Sequence, residues 1–190
     1  MTCYSAKHKL MFIHIPKTGG VSITQWMQNY GHGKLFAENH HGAKHFDIKS
    51  IHKHMKLDDI DINDTTYFTV VRNPWDRMVS TYHYYKKRDK MDVTFEDFIK
   101  GKWSHGWGCS TKQQYQYFND KTIVLRFEEL ESHFQSKISD PIIKNQTRLG
   151  RHNKSQHESY EADYNKELSD IVATKCAQDI KLLNYIPPAL

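Results

Sequence analysis

Pro16-Lys17-Thr18-Gly19-Gly20-Val21-Ser22 stands between a short apolar run and a segment with helical spacing. At such a handover successive backbone N–H groups and the helix N-terminus converge, which makes a site for an anion. Lys17 adds a point charge, Thr18 and Ser22 add hydroxyl donors, and Gly19, Gly20 and Val21 offer backbone N–H groups, the glycines at close approach. The set suits phosphate or sulfate oxygens. It is not the G-x-x-x-x-G-K-[ST] nucleotide loop, because the lysine precedes the glycine pair and no second-strand aspartate for Mg²⁺ follows. A plain strand-to-helix turn that uses glycine for its geometry is the competing reading.

A second candidate is Val70-Val-Arg72-Asn-Pro-Trp-Asp-Arg77-Met-Val-Ser80. Arg72 falls at the end of a strand and Ser80 two turns into the next helix, so an arginine fork and a hydroxyl can grip a second phosphate. Arg77 is an alternative ligand, or the partner of Asp76 or another acid in a surface ion pair. Two anion sites at two crevice positions imply a ligand with charged groups at both ends, which a simple nucleoside triphosphate does not need.

Between these segments crowd His32, His40, His41, His45, His52 and His54. His41 and His45 have the i, i+4 spacing of one helix face, but no H-E-x-x-H or adjacent cysteine completes a metal set. Imidazole titrates near neutrality, so a base for an attacking hydroxyl is the better use. His45, His52 and His54 read as solvated helix surface. Further on, Arg148, Arg151, Asn153, Lys154 and Ser155 make a basic, polar loop that either touches a ligand or merely connects. Trp103, Trp107 and Tyr115, with Gln113 and Gln114, suit a stacking wall for sugar rings or plain core packing. Nothing near Cys109 lowers its pKa, so it reads as inert.

The elements that must position these groups alternate. Leu10 to Ile15, Tyr67 to Val71 and Thr122 to Phe127 read as strands. Val21 to Tyr30 continues as a helix, Pro74 opens a second one whose stripe is Met78, Val79, Tyr82 and Tyr85, and Glu128 to Phe134 makes a short third. Leu168, Ile171, Val172, Cys176, Ile180 and Leu183 form the stripe of a C-terminal helix that Pro187-Pro188 ends. This predicts an α/β domain, a mainly parallel central sheet flanked by helices, with its ligand crevice beyond the carboxyl ends of the strands. Both anion candidates fall there.

A chain of 190 residues without repeat, low-complexity tract or linker predicts a single domain over residues 1–190. Twenty-four Phe, Tyr and Trp residues, from 9, 11 and 4, exclude wholesale disorder despite 38% apolar content. The apolar run Leu10 to Ile13 is far short of the roughly 20 residues a membrane span requires. Cys3, Cys109 and Cys176 form no C-x-x-C, which argues against a disulfide framework or zinc knuckle and for reduced thiols in a cytoplasm. The net charge of +5 permits a polyanionic ligand, but the basic residues are dispersed and no nucleic-acid motif accompanies them.

Ile15-Pro-Lys-Thr-Gly-Gly-Val-Ser22 and Phe68-Thr-Val-Val-Arg-Asn-Pro-Trp-Asp-Arg-Met-Val-Ser-Thr-Tyr82 resemble the paired signatures of the sulfotransferases, the 5′-phosphosulfate loop and the 3′-phosphate motif. The most similar branch is the carbohydrate sulfotransferases, which include heparan sulfate 2-O-sulfotransferase and the chondroitin and HNK-1 enzymes. Arg126-Phe-Glu-Glu-Leu130 is similar to the branch's R-F-E-x-L. His152-Asn153-Lys154-Ser155 with Tyr160, Tyr164 and Asp179-Ile180 to Tyr185 resembles its C-terminal block.

The resemblance covers roughly residues 10 to 186 and implies a P-loop-kinase-like fold. It also implies sulfuryl transfer from 3′-phosphoadenosine 5′-phosphosulfate, without a metal, to a hydroxyl of a saccharide. Lys17 and the loop N–H groups would face the 5′-phosphosulfate, Arg72 and Ser80 the 3′-phosphate, and Asn153, Lys154 and Ser155 a loop closing over the nucleotide. His41-Gly-Ala-Lys44 is similar, with a one-residue gap, to the H-x-x-A-K stretch of the family's second helix and implies His41 as base, with His40 as competitor. The expected setting is a soluble bacterial or viral cytoplasmic enzyme that binds no nucleic acid. The alternatives are a P-loop-like small-metabolite kinase and a non-catalytic polyanion-binding protein.

Overall fold

The structure, a computed structural model, describes residues 1–36, 45–103, 111–145, 147–150 and 159–190. It divides into two compact units, residues 1–71 with 116–153 and residues 72–115 with 154–190. The first unit carries the sheet. β2 (Leu10–Ile13), β4 (Thr66–Val71) and β5 (Ile123–Arg126) run parallel, within a residue or two of where the apolar runs of strand-forming residues predicted them. Two short strands, β1 (Cys3–Ser5) and β3 (Lys34–Leu35), extend the sheet antiparallel, in the order β3-β1-β2-β4-β5. The expected parallel sheet is therefore its β2-β4-β5 part, and the antiparallel edge is new. Register sets Ile13 opposite Thr69, so the chains leaving β2 and β4 depart from one side of the sheet.

Against this sheet pack α1 (Gly20–Tyr30) and the run after β5, namely α5 (Leu130–Phe134) and a π-helical stretch over Gln135–Ile143. Phe12 and Phe68 from the strands meet at 5.0 Å, and Trp26 of α1 meets Phe134 edge-on at 4.9 Å. All four are buried, and burial of such rings supplies about 1.5–3 kcal/mol each. Ahead of β4, α2 (Ile48–Leu57) begins with Asp47, whose carboxylate accepts the Ser50 N–H at 2.9 Å. It buries Ile48, Ile51 and Met55.

The second unit is helical: α3 (Pro74–Arg88), α4 (Phe95–Ile99), α6 (Lys166–Lys175) and α7 (Ala177–Leu183). Asn73 caps α3 by accepting from Trp75 N and Asp76 N at 3.0 and 3.4 Å, with Pro74 in the first turn. The predicted C-terminal helix is two helices. Cys176, at φ −109° and ψ 20°, breaks the run, yet Leu168, Val172, Cys176 and Leu183 all remain buried. No helix among the described residues is long and apolar enough to cross a membrane.

Candidate functional site

The loop after β2 folds as its residue types require. Gly19 takes φ +79°, a left-handed conformation that glycine adopts without strain, and a Cβ there would lie 2.9 Å from the Phe127 ring. Gly20 is needed for a different reason: a Cβ would overlap the imidazole of His14, which packs beneath the first turn of α1. Lys17 sits at φ +68°, which costs a residue with a Cβ about 1–2 kcal/mol. Strain of this kind concentrates where a side chain must be aimed. Thr18 is fully buried and its hydroxyl donates to the Ile15 carbonyl at 2.8 Å, so this hydroxyl proton closes the loop itself.

At the start of α1 no side chain caps the backbone and no acid occupies the first turn. The N-termini of α2, α3 and α6 each accept a side-chain cap. The positive dipole end of α1, with Ser22 in its first turn, thus follows directly on the loop that carries Lys17 and has no side chain competing for it, an arrangement that favours an anion. Val21 is exposed and joins this turn through its backbone.

His14 is buried, stacks on Phe12 at 5.6 Å and contacts His45 edge-on at 4.6 Å. Burial holds its pKa well below the ordinary value, helped by the Met1 ammonium, His45 and Lys17. His45 is not on a helix surface as expected: it precedes α2, and its Nδ1 is 3.0 Å from the His14 carbonyl. His52 and His54 do lie on α2, but half-buried, with His52 against Tyr67 and His54 against Phe36 and Phe46. The corrections share one cause, an aromatic layer over α2 that helical spacing does not show.

Along α1 runs a cleft of about 160 Å³ between Ser22, Gln25, Trp26, Asn29 and Tyr30 and the segment at Arg148. Trp26 Nε1 donates to the Thr147 carbonyl at 2.7 Å, and Leu149 N donates to Glu131 at 3.1 Å, which fixes this segment over the helix. The exposed polar residues Gln25 and Asn29, i and i+4 on one face of α1 with the buried Ser22 a turn before them, were the sequence signal for it.

In the second unit Arg72 is nearly buried, and its guanidinium is gripped by Asp76 through Nε and Nη2, each at 2.7 Å. Ser80 is also buried, on α3. Arg77 departs from expectation: it is not at the surface but 1% exposed, and it donates to the Lys112 carbonyl at 2.9 Å. Its helix face points inward, because α3 buries Trp75, Met78, Val79 and Tyr82 around it. Gln114 is no part of a sugar-stacking wall, since it is fully buried against the Arg72 backbone. Trp103 packs at 4.5 Å on Tyr85, as core packing would have it.

Several candidates lie outside the described residues: His40 and His41, Asn153, Lys154 and Ser155, and also Trp107, Cys109 and Arg151. Among the described residues no group of three His, Cys, Asp or Glu is placed to hold a metal ion. Cys3 and Cys176 are buried free thiols, and burial pushes Cys176 up to about 12.

Over 37 residues, 19% of its length, the chain is 46% identical to an uncharacterized protein of Archaeoglobus fulgidus, and it spans about a third of that relative (31%). No solved structure matches it. The sequence profile described as the sulfotransferase family matches residues 1–138, which include the glycine loop, the Arg72 segment and the strands β1 to β5 of the described residues. With that match over most of its length, this chain belongs to the sulfotransferase family.

Proposed function

We propose that the chain transfers the sulfuryl group of 3′-phosphoadenosine 5′-phosphosulfate to a hydroxyl of a saccharide. The two units would work together as one catalytic domain of P-loop-kinase-like architecture. The observation that carries this is the start of α1, a helix N-terminus without a side-chain cap, preceded by a lysine held at positive φ and entered through two glycines at which an added Cβ would meet Phe127 and His14. Membership of the sulfotransferase family supports the reaction class. The saccharide rests on the likeness of four segments to the carbohydrate branch.

In this reading Lys17, the N–H groups of Thr18, Gly19, Gly20 and Val21, and Ser22 hold the 5′-phosphosulfate and neutralise charge growing on the leaving phosphate oxygen. Arg72 and Ser80 hold the 3′-phosphate, the cleft along α1 takes the nucleoside, and Asn153, Lys154 and Ser155 close over it. His41, with His40 as competitor, takes the proton of the acceptor hydroxyl as its oxygen bonds to sulfur and the bond from sulfur to the phosphate oxygen breaks. Adenosine 3′,5′-bisphosphate and the sulfated acceptor leave.

Calorimetry with adenosine 3′,5′-bisphosphate tests the two anion positions. Lys17→Ala and Arg72→Ala are each expected to bind it about 10- to 100-fold more weakly, the value of about 1.5–3 kcal/mol for a hydrogen bond to a charged group. Parental affinity in both variants overturns the reading. In the same series His41→Ala should keep that affinity and lose about 10²–10⁴-fold in transfer from radiolabelled donor, and a full rate would move the base to His40.

A further inference from the structure

Beyond Val71 the sheet no longer holds the chain, because the β4–β5 ladder ends with Val71 opposite Arg126. The next residue, Arg72, has both main-chain polar groups bound by one side chain. Gln114 Oε1 accepts the Arg72 N–H at 2.9 Å, and Gln114 Nε2 donates to the Arg72 carbonyl at 2.8 Å. A primary amide offers the same donor and acceptor pair as a peptide unit, so Gln114 stands in for the missing strand neighbour. It is fully buried, where leaving either group unpaired is costly.

Gln114 is held in turn. It opens a 3₁₀ turn (Gln114–Tyr117), and the carboxylate of Asp179 on α7 accepts the Gln114 N–H at 2.7 Å through Oδ2 and the Tyr115 N–H at 2.8 Å through Oδ1. Asp179 is itself fully buried, 65 residues away in sequence. Its burial is only partly offset by those N–H groups and by the nearby Arg77, so a solvent-facing purpose does not explain an acid here. From the other side Asp76 fixes the guanidinium through two of its five N–H donors.

We propose that Gln114 and Asp179 are positioning residues for Arg72: Asp179 sets the turn, and the Gln114 amide sets the backbone from which the guanidinium is aimed at the 3′-phosphate of the donor. This rests on the functional reading above, which places that phosphate at Arg72. Neither residue touches the ligand. The geometry they impose decides whether an arginine already shared with Asp76 also meets a phosphate oxygen in line.

The test compares two nucleotides, adenosine 3′,5′-bisphosphate and adenosine 5′-monophosphate, by calorimetry. In Gln114→Ala the bisphosphate is expected to weaken at least about tenfold while the monophosphate stays within about twofold, since only the 3′ contact depends on Arg72. Adding Gln114→Ala to Arg72→Ala should cost nothing further, because the two act through one contact. Where Gln114→Ala does not fold, Asp179→Asn carries the test, keeping one of two acceptors and losing part of the preference. Equal weakening of both nucleotides, additive losses, or an unchanged preference in a folded variant overturns the assignment. A parent protein with no preference for the bisphosphate overturns the functional reading and this assignment with it, so the parent measurement separates the two failures.

Discussion

At the scale of single residues, the glycine pair illustrates how one motif answers to two constraints. Gly19 is demanded by its dihedral angle and by Phe127, Gly20 by the His14 ring lying under α1. Gly20→Ala is therefore expected to destabilise the protein by about 1–3 kcal/mol, the usual cost of overpacking, seen as a lower urea midpoint at unchanged slope. In a His14→Ala background the added methyl has room, so the cost should shrink. If it persists in full, something other than the imbalance of space between Gly20 and His14 is responsible. The turn at Gly19 and Gly20 was legible from residue type and order, as was the candidacy of Lys17 and Arg72. That of His14, His45 and Gln114 was not, because each acts through partners 31 or 42 residues away and no local spacing encodes such a pairing. Arg77 misled for a related reason. Adjacent Asp76 and Arg77 suggest a pair by proximity, but neighbouring residues on a helix diverge, and it is Arg72, four residues before Asp76, that reaches the carboxylate.

At the scale of elements, legibility followed length and phase. β2, β4 and β5 were readable as apolar runs with β-branched residues. β1 and β3, of three and two residues, are too short to carry alternation: β1 forms on the edge that β2 offers, and β3 on the edge of β1. The break at Cys176 was invisible because α6 and α7 keep the apolar stripe in phase across it. Helix α3 announced itself most fully, with an Asn cap, Pro at the first position and Lys86, Lys87 and Arg88 at the end where the dipole favours cations. Asn73 also donates to the Tyr160 hydroxyl at 3.3 Å. Asn73→Ala is expected to lower stability by about 1 kcal/mol, and Asn73→Asp, which keeps the capping oxygen, by less. Urea unfolding of the two variants checks this, and equal losses would show that the Tyr160 bond rather than the cap matters.

At the scale of the whole molecule, a net charge of +5 says little, because the charges that define the candidate site are few and placed while most others, such as Lys9 with Asp64 or Lys166 with Asp170, sit on exposed surface. A buried neutral base couples more strongly to global stability. His14 has a folded pKa well below its unfolded value near 6.5, so above about 6.5 both states leave it neutral and its packing contributes fully. As pH falls below that value the unfolded chain takes up a proton that the folded protein refuses. Stability is then lost at about 1.4 kcal/mol per pH unit until His14 titrates in the fold. Urea unfolding at steps from pH 7 to pH 5 should show the parent losing stability more steeply than His14→Gln, whose amide carries no such proton. His8 and His52 are lowered as well, but both remain in each protein and cancel in the difference. Parallel curves for parent and variant would place the acid sensitivity elsewhere and would mean that His14 is accommodated under α1 in its charged form.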